Sequence, residues 1–321
     1  MTPLFLTHGN VEFWADQFVS GLTTGSIYAL IALGYTMVYG VLQLINFAHG
    51  EVFMVGAFAG YGVIVAMGGD ELTGAMVVLA IALALLAAAT ASAATSVTIE
   101  RIAYRPLRGA PRLAPLISAI GVSVFLSHLV EDVFLDGRQR FYPQIFPDGE
   151  LVAGPLSVTY LQLFLMGSAL TMMTGLYLVV QKSRAGRAIR AVAENKDNAS
   201  LMGIDVNKII VVTFVLGAIM AGFAGVLYGL FLSAIRGSMG FIPGVKAFTA
   251  AVLGGIGSIP GAVVGGYVLG ISETVGREAL NEIPGVNLPN EWKDVVAFAL
   301  LVLILILRPT GIFQQRESKR A

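Results

Sequence analysis

The sequence predicts an all-α, polytopic transmembrane helix bundle with about eight or nine crossings, some of them broken or short. Only 12% of the 321 residues are charged and 56% are hydrophobic, whereas about 25% of the residues in a soluble domain are charged. Apolar runs of about 20 residues, the length that crosses a bilayer, recur along the chain. They lack the apolar–polar alternation of barrel strands, so we expect helices throughout.

Six apolar runs in the first three quarters of the chain have the length of a crossing or nearly so. In chain order they are Phe18–Val41, Val52–Met67, Leu72–Ile99, Leu113–Val130, Thr159–Val180 and Ile209–Ile235. The last quarter is less regular. It contains the short glycine-rich run Ala247–Ile256, then Ala262–Ser272, and finally Val295–Leu307, with Trp292 as an interfacial anchor.

Glycines recur at helical spacing within these runs, as in the G-x-x-x-G pairs Gly21/Gly25 and Gly266/Gly270. Such pairs let helix backbones approach closely in lipid. We therefore interpret them as sites of tight helix packing, the alternative being a flexible or pore-lining helix. No part of the sequence indicates a separate soluble domain, so residues 1–321 are predicted to form one transmembrane domain.

The basic residues predict the orientation of this domain. If nine segments cross and the N-terminus is outside, fourteen of the twenty basic residues fall in the inside segments 101–112, 182–208 and 308–320. The C-terminus is then inside, and Lys246 is counted in an outside connection. This assignment depends on Ala247–Ile256 being a crossing; if that run only dips in and returns, one end must flip.

Several kinds of chemistry are excluded or unsupported. The chain contains no cysteine, which rules out disulfides and thiolate sites, and its three histidines are scattered, so we expect no metal centre. It has no phosphate-binding G-x-x-x-x-G-K-[ST] motif and no H-E-x-x-H or G-x-S-x-G motif. The net charge of zero gives no indication of a nucleic-acid partner. We expect a non-catalytic protein without a cofactor.

Charged residues are rare within the predicted crossings, and the runs over 18–41, 72–99 and 209–235, for example, contain none. An ion-coupled carrier usually keeps ionisable groups in the membrane because they serve its function. If this protein moves a solute uphill, the energy is therefore expected to come from a partner rather than from an ion gradient.

The most charged connection is "KSRAGRAIRAVAENKDNASLMGIDVNK", residues 182–208. Its first half predicts an amphipathic helix, with Ile189 and Val192 on one face and the arginines on another. A second short helix is predicted over Asp197–Met202, ending at Gly203. The connection is either a solvated linker or a platform that docks a cytosolic partner.

A second polar stretch, "QLINFAHGEVF", joins the first two apolar runs. It is predicted to be a tight turn, with Gly50 allowing a sharp change of direction and Glu51 in the first turn of the next helix, where a negative charge is favourable. Asn46 and His49 are candidates for lining or latching the mouth of a solute path.

Four stretches together resemble a known family: "GSIYALIALGYTMVYGVLQLINFAHGEVFMVGA", "IERIAYRPLRGAPRLAPLISAIGVS", "GRAIRAVAENKDNASLMGI" and "KAFTAAVLGGIGSIPGAVVGGYVLG". They are similar to the membrane permeases of high-affinity branched-chain amino acid ABC importers, and most similar to the smaller, LivH-type subunit. The resemblance implies the ABC importer permease fold in the inner membrane of a bacterium. It implies import of leucine, isoleucine and valine; related urea, amide or other amino acid importers are the alternative.

The resemblance also implies partners: a second, homologous permease that forms a heterodimer with this one, two cytosolic P-loop ATPases, and a periplasmic amino-acid-binding protein. ABC permeases dock their ATPases through an E-A-A-x-x-x-G loop. The stretch "DNASLMG" supplies the acid, the second alanine and the glycine, with Asn198 in place of the middle alanine. The residues assigned to the docking loop are Arg187, Glu194, Asp197, Ala199 and Gly203.

A zwitterionic solute needs a polar lining that binds it weakly enough to let it leave. The candidates for this translocation path, at the interface of the two permeases, are Thr23, Thr24, Tyr28, Gln43, Asn46, His49 and Thr249. For each hydroxyl, a hydrogen bond to its own helix backbone is the alternative explanation.

Overall fold

The computed structural model describes residues 11–111, 113–134, 137–283, 285–308 and 310–313. Arg112 and the basic residues of 316–320, which the sequence places inside, lie outside the described residues. Within these residues the chain is a helix bundle with two small two-stranded sheets, so the predicted all-α bundle is confirmed.

The helices are α1 Val11–Leu42, α2 His49–Ala66, α3 Ala75–Ile99, α4 Leu113–His128, α5 Tyr160–Lys182, α6 Arg184–Glu194, α7 Lys196–Leu201, α8 Val206–Leu232, α9 Phe241–Gly254, α10 Ile259–Asn281 and α11 Trp292–Leu307. The π-helical segments Glu100–Tyr104 and Leu129–Phe134 follow α3 and α4, and single 3-10 turns lie at Gly69–Glu71 and Arg105–Leu107. Strand β1 (Arg140–Phe141) pairs antiparallel with β4 (Ala234–Ile235), and β2 (Glu150–Ala153) with β3 (Leu156–Thr159).

Six helices in the described part of the chain are long and apolar enough to cross a membrane: α1, α2, α3 and α4 with their extensions, α5 and α8. Helix α9 is apolar but has only 14 residues, or about 21 Å at 1.5 Å per residue. That is shorter than a hydrocarbon core of about 30 Å, as expected of a short or broken segment. Helices α1 and α8 are the most buried, whereas α4 exposes most of its surface.

Helices α1 and α10 contact one another through their backbones. A Cβ atom built on Gly21 would lie 2.8 Å from the Cα of Ile271, and one on Gly25 would lie 2.9 Å from the Cα of Tyr267. From the other side, a Cβ on Gly270 would lie 2.4 Å from the amide nitrogen of Gly25. We call this contact the glycine seam; it explains these glycines as packing residues.

Helix α2 begins deep inside the bundle rather than at its edge. It runs parallel to α8, with Gly56 beside Gly222. At its start, His49 lies against Gly34 of α1, which in turn contacts Gly217. Gly217 is eleven residues into α8, or about 16 Å from its first residue.

Helix α9 begins at the same depth as α2. A Cβ on Gly50 would lie 2.4 Å from the carbonyl oxygen of Gly240, the residue before α9. The predicted role of Gly50 in a sharp turn is wrong, because Gly50 is helical and is needed for this contact between two helix starts. In the connection between α1 and α2, the residue with a left-handed backbone is Gln43, with φ 58°.

A charged cluster lies inside the bundle at Lys246, which the sequence placed in an outside connection. Lys246 belongs to α9 and is 5% exposed. Its Nζ lies 2.7 Å from Oε1 of Glu273 in α10 and 2.5 Å from Oδ1 of Asp294 in α11, and it donates to the hydroxyl of Tyr28 at 3.3 Å. The ion pairs join three helices, so this lysine is a structural element of the interior. We call it the lysine cluster.

Candidate functional site

The connection between α5 and α8 forms a compact, angular unit, residues 183–205, which we call the elbow. Ser183 begins α6 by accepting a hydrogen bond on its Oγ from the amide of Gly186 at 2.9 Å. Ile189 and Val192 are buried, and the three arginines of the helix are exposed. The predicted amphipathic helix is therefore confirmed.

Helix α7 follows α6 after a single residue, Asn195. The side-chain oxygen of Asn195 accepts hydrogen bonds from the amides of Asp197 and Asn198, both at 2.9 Å, and so caps the helix. This cap turns the chain between α6 and α7 in a single residue, which fixes the angle between the two helices.

The end of α7 is fixed as firmly as its start. Gly203 has φ +81°, and its amide donates to the carbonyl of Ser200 at 3.0 Å. The amide of Ile204 donates to the carbonyl of Ala199 at 3.0 Å. This pair of bonds around a left-handed glycine is a Schellman motif. The predicted helix end at Gly203 is confirmed.

The exposed apolar surface of the elbow lies at Leu201 and Met202, which are 86% and 83% exposed. Ala199, which the sequence assigns to the docking loop, is 4% exposed and packs within its own chain. The signal that was missed is the pair of large apolar residues just before a C-terminal glycine, where the short helix has no room to bury them.

Charged side chains of the elbow are exposed as well. Arg187, Glu194 and Asp197 are all exposed. Partial burial lowers the pKa of Lys196, and the positive charge of Arg108 lowers it further, against the opposing effect of Asp197. The elbow therefore exposes two large apolar residues together with charges of both signs, residue types that also make up the core and the rim of protein interfaces.

Helix α6 is pressed against the end of α5. A Cβ on Gly186 would lie 2.1 Å from the carbonyl oxygen of Val180 and 2.5 Å from that of Val179. The guanidinium of Arg190 donates a hydrogen bond to the same Val180 carbonyl. The start of α6 is therefore in direct contact with the backbone of the end of α5.

We expect Gly186→Ala to disturb the elbow, because the added methyl group meets backbone atoms that cannot rotate away. Overpacking of this kind costs typically about 1–3 kcal/mol. The measurement is limited proteolysis of 183–205 in the purified protein, with faster cleavage expected. Gly175→Ala, on α5 with open space around its Cβ position, is the matched control. Equal cleavage rates for Gly186→Ala and Gly175→Ala would contradict the prediction.

A buried carboxylate ties the neighbouring elements to this end of the bundle. Glu100 is fully buried and pairs with Arg105 at 3.3 Å and with Arg108. Arg108 also donates to the side-chain oxygen of Asn207 at the start of α8. The end of α3, the start of α8 and the elbow therefore form one connected surface.

The predicted path residues are distributed over different helices. Thr23 and Thr249 each donate a hydrogen bond to their own helix backbone at 2.9 Å, and Thr24 is partly buried. Tyr28 is part of the lysine cluster. These contacts account for the positions of Thr23, Thr249 and Tyr28 within the chain, and their assignment to a path stays a prediction.

The remaining path candidates lie in the connection between α1 and α2. Gln43 is exposed, whereas Asn46 and His49 are buried. The side-chain oxygen of Asn46 accepts hydrogen bonds from the amide of Ala48 and from the hydroxyl of Tyr104, both at 3.1 Å. Asn46 thus holds this connection to the end of α3, and its role at a path mouth also stays a prediction.

Comparison with known proteins gives matches along nearly the whole chain. Residues 17–305 match the family described as branched-chain amino acid transport system / permease component. The chain is 45% identical over 317 residues to the high-affinity branched-chain amino acid transport system permease protein BraD of Pseudomonas aeruginosa, covering 97% of this chain and 99% of that protein. It is 45% identical over 316 residues to the permease protein LivH of Escherichia coli K12, covering 96% and 98%. It is 28% identical over 296 residues to a probable LivH permease of Methanocaldococcus jannaschii, covering 89% and 88%.

Proposed function

The chain belongs to the family of permease components of branched-chain amino acid transport systems, and from this premise we propose that it forms half of the translocation path of an ATP-driven, binding-protein-dependent importer of leucine, isoleucine and valine. The observation that carries the proposal is a match that spans 97% of this chain and 99% of a named permease. The chain itself is proposed to be non-catalytic, with ATP hydrolysis on partner subunits.

The proposed assembly contains this permease, a second and homologous permease, two cytosolic P-loop ATPases and a periplasmic amino-acid-binding protein. The elbow supports docking of an ATPase, because its two short helices are rigidly capped and present Leu201 and Met202 to solvent. When the ATPases close on ATP, a rigid-body movement of the elbow would pass through Gly186 to α5.

We propose that the elbow and the segment 100–111 face the cytoplasm, with the N-terminus in the periplasm and the C-terminus in the cytoplasm of a bacterial inner membrane. The concentration of basic residues in these segments supports this orientation.

Transport by the reconstituted complex tests the proposal. The four membrane and ATPase subunits are placed in proteoliposomes with ATP inside, the binding protein is added outside, and uptake of leucine, isoleucine, valine, urea and a short-chain amide is measured. ATP-dependent accumulation of the three branched-chain amino acids is expected. Uptake of urea or the amide in their place would show that the protein imports a different class of solute.

A further inference from the structure

Glu51 has a buried carboxylate with one unsatisfied oxygen. It lies in the first turn of α2 and is 1% exposed. Its Oε1 accepts a hydrogen bond from the hydroxyl of Ser123 at 3.1 Å, whereas its Oε2 has no hydrogen-bond partner in the described part of the chain. A buried carboxylate oxygen without a donor is costly, so a donor from outside the described residues would stabilise this atom.

A cleft opens beside this carboxylate. It has a volume of about 360 Å³ and lies between the start of α2, the C-terminal half of α4 and the segment that leads into α9. That volume falls within the range of about 300–1,000 Å³ for sites that bind small molecules. The position is where α2 and α9 both begin inside the bundle, the kind of helix break at which transporters place their solutes.

The walls of the cleft differ in chemistry. Glu51 and Ser123 are polar, and Arg236 supplies a cation that forms no ion pair within the described residues. Val124 and the first residues of α9, Phe241 and Ile242, supply an apolar surface and are themselves exposed. The cleft therefore combines an anion, a cation and an apolar wall.

The helix starts add to the positive side of this arrangement. The fourteen-residue α9 begins at Phe241, so its N-terminus, with its partial positive charge, lies at the cleft. The start of α2 partly offsets the charge of Glu51 in the same way. A ligand with one positive and one negative group is thus matched at both ends.

We propose that this cleft is a solute-binding site on the translocation path, and that it takes an α-amino acid with a small branched side chain. The ammonium group binds Oε2 of Glu51, the carboxylate binds the guanidinium of Arg236 in the segment between β4 and α9, and the side chain contacts Val124, Phe241 and Ile242. The inference rests on the proposed function and deepens it, since the site lies outside the predicted path residues.

The site is expected to bind its ligand weakly. Arg236 is exposed, and an ion pair with an exposed partner raises affinity at most about fivefold. Glu51 is buried, so the ammonium contact supplies most of the discrimination. An imported solute must leave again, and a site with one strong and one weak anchor allows that.

The test is ligand binding to the assembled permease–ATPase complex in nanodiscs, without binding protein and without ATP, measured by saturation-transfer NMR. The ligands are leucine, isopentylamine, which lacks the carboxylate, and 4-methylpentanoate, which lacks the ammonium. We expect Glu51→Gln to weaken leucine and isopentylamine at least tenfold and to leave 4-methylpentanoate unchanged. We expect Arg236→Gln to weaken leucine and 4-methylpentanoate while isopentylamine binds as before.

Glu71→Gln, the same change at an exposed glutamate on a 3-10 turn, is the matched control and should not alter binding. Wild-type binding of leucine by both cleft variants would overturn the proposal, as would an equal loss of all three ligands in either. If Glu51→Gln does not assemble, charge reversal by Arg236→Glu decides in its place, because Arg236 is exposed, its replacement does not disturb the core, and the new carboxylate repels the carboxylates of leucine and 4-methylpentanoate.

Uptake by the wild-type importer distinguishes failure of the proposed binding site from failure of the proposed transport function. If proteoliposomes accumulate leucine while the cleft variants bind all three ligands like the wild type, the site is wrong and the transport function stands. If the wild-type importer accumulates none of the branched-chain amino acids, the proposed function itself fails.

Discussion

Replacement of Leu201 and Met202 together by glutamate is expected to release the ATPases from the permease and to abolish ATP-driven uptake. Burying a leucine or methionine side chain contributes about 1.5–3 kcal/mol, so loss of both contacts weakens docking at least hundredfold. Both side chains are more than 80% exposed, so the permease should remain folded. Co-purification of the ATPases with the tagged permease is the measurement.

The matched control is replacement of Leu151 and Val152 by glutamate. These residues are also exposed and apolar, but they lie on β2, in the connection between α4 and α5 rather than in the elbow. ATPase recovery should be normal in this control. If the ATPases are recovered equally with the elbow variant and with wild-type permease, Leu201 and Met202 do not carry the docking.

Lys246→Met is expected to destabilise the whole bundle. The substitution leaves the buried carboxylate of Glu273 and that of Asp294 without their cation. Removing one partner from a buried ion pair costs about 3–5 kcal/mol. The measurement is the midpoint of thermal unfolding in detergent, with Lys208→Met, at an exposed lysine of α8, as the control that should unfold like the wild type.

A second substitution distinguishes the loss of charge pairing from the loss of side-chain volume. Adding Glu273→Gln to Lys246→Met removes the more deeply buried of the two uncompensated carboxylates, so the double variant should recover part of the lost stability. A double variant that unfolds at a lower temperature than Lys246→Met alone would contradict this explanation of the lysine cluster.

The elbow was predictable in detail because its determinants are local. The spacing of Ile189 and Val192 predicts the buried face of α6, and Gly203 predicts the end of α7. The long apolar helices were predictable for the same reason, since length and composition alone decide them. Each of these signals lies within one stretch of the chain that also contains the structure it produces.

The lysine cluster was not predictable because its partners are distant in sequence. A lysine next to a short glycine-rich run resembles a connection, and only the fold brings Glu273 and Asp294 to it. Gly50 was misread for a related reason: its requirement for glycine comes from Gly240 in another helix, not from its own backbone angles. The same holds for the cleft at Glu51, whose walls come from three separate parts of the chain.

The glycine seam has a consequence for biosynthesis. It joins α1, the first helix of the described chain, to α10, and the bond between Ser26 and Tyr267 spans 241 residues. At a translation rate of about 5–20 residues per second, α1 spends roughly 10–50 s in the membrane before α10 has been made. During that interval the face of α1 that carries Gly21 and Gly25, which α10 later covers, is exposed to lipid and to other nascent chains. Insertion machinery or a chaperone that shields α1 would therefore act before, and independently of, assembly with the transporter's other subunits.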